Sequence, residues 1–262
     1  MVKTMQSLKA LALLVLLSAC VTSETGGFAV DASRDRALND YIQLAFGYYE
    51  ADDMVRAKRH VDNALGIDRR SSEAHHIRAL IHQREAEMEL ARETFERSLS
   101  LDRGNSRARN NFAAFLFSRG EFEEAYRQLR IVSEDTDYTA RPMAFQNLGL
   151  AALQLGRDED AVAAFERALL LDRNMFRSSL ELAHIHFDKG EFSEARRLYE
   201  QYLSSAGFLG VPQTARSLWL GYQIETRFDN REQAGQYADE LASRFPASAE
   251  HQRYRESRQG GG

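Results

Sequence analysis

An all-α solenoid of about six helix-turn-helix units, superhelical in its stacking, is the fold class this 262-residue sequence predicts. Three observations predict it. The stretches Ala64-Leu65-Gly66-Ile67-Asp68-Arg69, Ser98-Leu99-Ser100-Leu101-Asp102-Arg103 and Ala168-Leu169-Leu170-Leu171-Asp172-Arg173 end alike, and the first two lie 34 residues apart. A fixed period of that size marks a repeat architecture, in which no unit buries its apolar face alone. With units beginning near Leu38, Ser72, Ser106, Pro142, Phe176 and Ala215, the twentieth residue of each is alanine: Ala57, Ala91, Ala125, Ala161, Ala195 and Ala234. Glycine then falls at the fifteenth place of three units, as Gly120, Gly156 and Gly190, where a helix has to stop and turn back.

The period and its alternation of large and small residues resemble the tetratricopeptide repeat, which has two antiparallel helices per unit. The physical reason is close approach. Two helices of a hairpin cross closely only where a side chain is no bigger than a methyl, and a larger residue one turn later fills the space beside it. The eighth places supply Ala45, Ala79, Ala113, Gly149 and Ala183, with Tyr222 the exception. The twenty-fourth places supply Val61, Phe95, Leu129, Phe165, Tyr199 and Ala238. The alanines set the register, so the eighth places and the glycines are its independent tests. Pro142 opens a unit, where a first-turn proline costs nothing; Pro212 lies between units and Pro246 closes the last.

Spacing departs from the period twice. The third and fourth starts are 36 residues apart, with a polar connector from Glu134 to Thr139. The fifth and sixth are 39 apart, with Gly207-Phe208-Leu209-Gly210-Val211-Pro212 in the junction. Arg78 and Gly221 stand where a large apolar residue is expected, and Trp219 is one place late. The sixth unit therefore reads as a modified end cap, as terminal repeats commonly are. Residues 20–37 read as a flexible tether, 38–246 as the six repeats, and 247–262 as a polar helix extension with a loose tail of three glycines.

The first residues read as a processing segment, with a leader over 1–19. Lys3 and Lys9 precede an apolar run from Leu11 to Leu17. That run is too short for a bilayer span of ~20 residues and fits a signal peptide. Leu17-Ser18-Ala19-Cys20 resembles the bacterial lipobox. The resemblance implies a diacylglyceryl group on the Cys20 thiol, cleavage after Ala19 and acylation of the new amine. The alternatives are ordinary secretory cleavage or a leader that stays on. Ordinary signal peptidase prefers a small residue where Leu17 stands, and the only cysteine of the chain would then lack a role. Several acyl chains, at ~0.8 kcal/mol per buried CH₂, would anchor the protein without a transmembrane helix. Val21 in place of aspartate favours the outer membrane, periplasmic face, under the sorting rule this resemblance implies. Loss of Lys3 and Lys9 takes the net charge from −5 to −7.

Chemistry is not written in the chain. One cysteine excludes a disulfide framework and a zinc ribbon. The 34 Lys and Arg against 39 Asp and Glu disfavour a nucleic-acid binder that works through bulk charge. His75, His76 and His82 share one helix and His184 and His186 another, but metal pairs on a helix need three- or four-residue spacing. His75 and His82 could share a face seven apart, with no further ligand beside them; all are read as structural or solvated. Glu121, Glu123 and Glu124 open a helix, where they suit its dipole. Phosphate loops, nucleophile elbows and His-Glu-x-x-His are absent. No enzyme, metal or cofactor is expected.

What remains is a binding surface. The tetratricopeptide resemblance implies that first helices line the inner face, mainly through their second, fifth, ninth and twelfth places. Those places include Ile42, Phe46, Tyr49, His76, Leu80, Asn110, Phe117, Gln146, Leu150, Leu153, Leu180, Phe187 and Trp219. As a set they suggest an amphipathic channel for a peptide segment or helix; the alternative for any one of them is burial between repeats. The family's carboxylate-clamp version needs a polar residue where Ile42 stands, so a charged C-terminus is not the expected ligand.

Leader, Cys20 and six repeats together resemble the type IV pilus biogenesis and stability lipoproteins, the PilF/PilW family, over the leader and roughly residues 38–246. The resemblance implies a pilotin. Its solenoid grips a subunit of the outer-membrane secretin, and its acyl chains carry that subunit to the outer membrane, where it multimerises into the ring through which the pilus emerges. The alternative is an adaptor lipoprotein of another envelope machine, holding peptidoglycan hydrolases or outer-membrane assembly factors.

Overall fold

The structure, a computed structural model, describes residues 26–259. Among them it holds α1 (Gly26–Glu50), α2 (Met54–Ile67), α3 (Ser72–Arg84), α4 (Met88–Leu101), α5 (Ser106–Ser118), α6 (Phe122–Glu134) and α7 (Arg141–Gln154). The order continues with α8 (Asp158–Leu171), α9 (Phe176–Asp188), α10 (Phe192–Phe208), α11 (Ala215–Arg227), α12 (Arg231–Arg244) and α13 (Ala249–Gln259). The described residues contain no strand. The chain divides into two units, one up to Leu101 and one from Asp102. The first holds the hairpins α1/α2 and α3/α4; the second holds α5/α6, α7/α8, α9/α10 and α11/α12, followed by α13. The leader over 1–19, Cys20 and the start of the tether lie outside the described residues.

Every hairpin turns in one way. The fifteenth residue of each repeat has a left-handed backbone: Asp52 (φ 59°), Ala86 (61°), Gly120 (78°), Gly156 (67°), Gly190 (79°) and Asp229 (55°). The next residue then donates its N–H to a carbonyl five residues back. These bonds are Asp53 to Tyr48, Glu87 to His82, Arg157 to Ala152, Glu191 to His186 and Asn230 to Glu225, all at 2.9 Å, and Glu121 to Leu116 at 3.0 Å. That is the closure of a Schellman motif, which satisfies carbonyls the helix end would otherwise leave open. Glycine is needed for the angle and not for room, since a Cβ at Gly120, Gly156 or Gly190 would meet nothing within 4 Å.

Caps and loops follow the same local logic. Asp53, Ser71, Asn105 and Asn230 each accept a backbone N–H of the first helical turn, and Thr214 and Ser217 form a reciprocal capping box. The repeated Ile/Leu-Asp-Arg phrase has a structural cause. Asp68, Asp102 and Asp172 each turn Oδ1 back onto the N–H two residues on, at Arg70 (2.8 Å), Gly104 (2.8 Å) and Asn174 (2.9 Å). Asp135 does so to Asp137 at 3.0 Å in the polar connector. These Asx turns close the loop between one repeat and the next.

The six alanines at the twentieth places are buried, as are Ala45, Ala79, Ala113, Gly149 and Ala183 at the eighth. Gly149 is glycine because Phe165 fills the space: a Cβ there would lie 2.6 Å from its ring. In the sixth repeat the close approach moves by one residue. Gly221, at the seventh place, faces Tyr199 and Tyr237, and a Cβ would come within 2.5 Å of the Tyr199 hydroxyl. Tyr237, at the twenty-third place, serves there as the large partner. Tyr222 is thereby released from the eighth place's size limit, which accounts for Gly221 and Tyr222 together.

One expectation is corrected. From Gly26 onward the supposed tether is helical and continuous with the first repeat. After Gly27 no proline or glycine interrupts it before Gly47. The Arg34 guanidinium donates to the carbonyl of Ile67, at the C-terminal end of α2, where a cation opposes the helix dipole. At the other end α13 starts 34 residues after α11, the place of a seventh first helix, and packs on α11 and α12.

Two substitutions test this account. Ala86→Gly relieves a left-handed alanine and should raise stability by about 0.5–1 kcal/mol, net of the added freedom of the unfolded chain; a denaturant midpoint that falls would contradict it. Gly221→Ala should cost about 2 kcal/mol or more through overpacking against two tyrosines, seen as lost hydrogen-exchange protection in α11 and α12.

Candidate functional site

Each unit has its own row of first-helix residues. In the N-terminal unit Ile42, Phe46 and Tyr49 are half-buried on α1. The rings of Phe46 and Tyr49 stack at 6.2 Å, and the Arg84 guanidinium lies 5.0 Å from the Tyr49 centroid while bonding Asp52 at 2.7 Å. His76 and Leu80 are a correction. His76 is fully buried, its ring 6.3 Å from Phe95, and Leu80 is 7% exposed, so neither lines a surface.

In the C-terminal unit the row separates by place. At the fifth place Asn110, Gln146 and Leu180 are buried, and only Trp219 is half-exposed. This place is used to join successive first helices rather than to meet a ligand. Asn147 Nδ2 donates to Asn110 Oδ1 (3.3 Å), tying α7 to α5, and Ser178 Oγ donates to Gln146 Oε1 (3.5 Å), tying α9 to α7. The third tie is ionic. Both Arg216 guanidinium nitrogens donate to Glu181, at 2.6 and 2.8 Å, and join α11 to α9. In α5, α7 and α9 the ninth and twelfth places carry the accessible apolar groups, whereas α11 has Gln223 and Thr226 there. Leu150, Leu153, Phe117 and Phe187 are half-buried, and Phe117 and Phe187 each meet a second phenylalanine edge-on, Phe122 at 5.1 Å and Phe192 at 5.2 Å. Trp219 stacks on Tyr222 at 5.3 Å, and Tyr254 of α13 meets Tyr222 edge-on at 5.0 Å. A wall of apolar side chains over a floor of internally paired polar groups can hold a protein segment; it gathers no nucleophile with a base beside it.

Known proteins bear on this arrangement. Two tetratricopeptide-repeat models match, one over residues 72–105 and the other over 142–175. The type IV pilus assembly protein PilF of Pseudomonas aeruginosa is 37% identical over 243 residues, covering 92% of this chain and 94% of that protein. The chain belongs to the PilF/PilW family. The solved structure of Pseudomonas aeruginosa PilF is similar with a TM-score of 0.82 at 36% identity, over 86% of this chain and 99% of that one. The structure of PilW, a type IV pilus biogenesis factor, matches with a TM-score of 0.68 at 26% identity, over 83% and 97%. The fold of this PilF/PilW protein is thus the all-α tetratricopeptide fold.

Several polar features of this family member were not read from the sequence. Glu181 and Glu225 are both 5% exposed; Glu225 accepts from Arg196 (3.0 Å) and from Asn230 Nδ2 (2.6 Å). Their signal was a carboxylate on the apolar face of a first helix. His82 bonds Glu87 through Nδ1 at 2.5 Å, and His186 bonds Glu191 likewise, each joining the eleventh to the sixteenth place across a hairpin turn. Glu85 brings a third ligand atom within 4.8 Å of His82 and Glu87. A turn clip explains the group better than a metal, because Lys58 bonds Glu85 at 2.7 Å and the second copy has Lys189 in that place.

His184 sits at the ninth place of α9 with Nε2 buried and unpartnered. Burial first, then the nearby Arg216 guanidinium, pushes its imidazole from 6.5 down to about 4. A depressed histidine contributes stability that is complete above the unfolded value and is lost as pH falls toward the folded one. Urea unfolding should therefore show a loss of about 2 kcal/mol between pH 7 and pH 5, and His184→Leu should flatten that part of the profile. Equal slopes in both proteins would remove His184 from the account.

Proposed function

We propose that this chain is a lipid-anchored pilotin of the type IV pilus, a non-catalytic carrier. Its first-helix face holds a secretin subunit while acyl chains on Cys20 bring that subunit to the outer membrane for multimerisation. The observation that carries the reading is the PilF relationship, which runs through 243 residues, 92% of the chain. Two further points support it. The Leu17-Ser18-Ala19-Cys20 sequence suits lipid attachment, with Val21 behind it. The apolar wall of Phe117, Leu150, Leu153 and Phe187 suits protein binding.

Carrying needs two separable parts, a grip and an anchor. Cys20→Ala should leave secretin binding intact in detergent extracts while ring subunits collect as monomers outside the outer-membrane fraction. Secretin multimers appearing normally in the outer membrane of that strain would defeat the anchor's role. Failure of the unaltered protein to retain any secretin subunit would defeat the grip.

A further inference from the structure

We infer that the first-helix face of the C-terminal unit takes its client as an amphipathic α-helix with an acidic flank, and not as an extended strand. This deepens the grip proposed above and does not depend on the client being a secretin.

Hydrogen-bond accounting separates the two forms. An extended segment brings roughly one N–H and one C=O per residue, and each one buried without a partner costs ~1–3 kcal/mol. A groove that reads extended peptides therefore supplies amides or other polar side chains along its length. Along α5, α7 and α9 those side chains are already committed. Asn110 and Gln146 are each 7% exposed. Asn110 Oδ1 accepts from Asn147, Gln146 Oε1 accepts from Ser178, and Gln146 Nε2 points to Met143 Sδ at 3.3 Å. The accessible ninth and twelfth places of α5, α7 and α9 offer Ala114, Leu150, Leu153 and two phenylalanines. His184 is the polar exception in these three helices, and its Nε2 is buried; on α11 the same places are Gln223 and Thr226, polar groups confined to one end of the face. A helix arrives with its backbone bonds already made and asks the surface only for apolar contact, through anchors at i, i+3, i+4 and i+7.

Charge fixes the flank. The second places of α9 and α11 are Arg177 and Arg216, both exposed, and so lie on one edge of the same face. Arg216 keeps its side chain 48% exposed while holding Glu181, whose own side chain is 7% exposed. The acid is buried and the cations face outward, so a client helix is favoured with Asp or Glu on the side that meets them.

The test uses random 16-residue peptides displayed on phage, selected on the whole mature chain and counter-selected on Leu153→Lys. The single tryptophan, Trp219, reports binding by its emission. Expected are proline-free sequences with helical apolar spacing and a flanking Asp or Glu. They should gain helical circular dichroism on binding and bind at least ~10-fold more weakly to Leu153→Lys, a change of about 1.4 kcal/mol. Leu150→Lys serves where Leu153→Lys unfolds more readily than the parent. Sequences with strand-like alternation or proline runs, binding without helix gain, or no sequence dependent on Leu150 or Leu153 would each overturn the inference. Peptides tiling the secretin form a separate arm: their silence beside bound helical peptides would retire the secretin as client and leave the helical reading standing.

Discussion

Hairpin closure rests on one steric constraint: two helices can come together only where neither carries more than a methyl group at the crossing. Buried alanines at the eighth and twentieth places meet it in most repeats, and the rest of the architecture adjusts around them. Where the neighbouring large residue grows, the small one shrinks, as Phe165 against Gly149 and the Tyr199/Tyr237 pair against Gly221 show. The left-handed residue at the fifteenth place is the second half of the constraint, since it points the returning helix so that the two small positions face each other. The cost is small with glycine and larger with alanine, yet all six turns keep the same angle. Geometry is held fixed and residue identity varies around it.

Polar groups inside the C-terminal unit play a different part. The links from Asn147 to Asn110, Ser178 to Gln146 and Arg216 to Glu181 run between consecutive first helices, whereas the apolar packing closes each hairpin on itself. Buried polar pairs add little net stability, but an unpaired member is expensive, so they penalise any slip of one helix along the next. The floor beneath the proposed client is thereby held in register. Placing the polar groups in the floor leaves Phe117, Leu150, Leu153 and Phe187 to meet the partner. Rigid support and apolar contact are assigned to different places of the repeat.

Much of the fold was legible because its signals are local and repeat. Period, small residues and turn glycines each mark a requirement of the backbone, and one sequence shows them several times. The left-handed turns at Asp52, Ala86 and Asp229 were not legible, since aspartate and alanine do not announce a positive φ and only the shared place in the repeat reveals it. The helical stretch from Gly26 was not legible because it carries no apolar period, and residues 31–36 are exposed; a cation on the end of α2 helps to hold it. For the face itself, listing the second, fifth, ninth and twelfth places treated them alike. The structure buries most fifth places in the seam between helices, a distinction that depends on how neighbouring repeats pack and is invisible within one.

The polar helix α13 takes the seat of a seventh first helix. Its Tyr254 meets Tyr222 edge-on and covers the side of the last hairpin that would otherwise present an unfinished apolar surface. A stack of hairpins has no intrinsic reason to stop, because each new one offers its successor the surface it was itself offered. A solvated helix laid on α11 and α12 occupies the surface on which a further hairpin would stack, so α13 caps that surface instead of leaving it open.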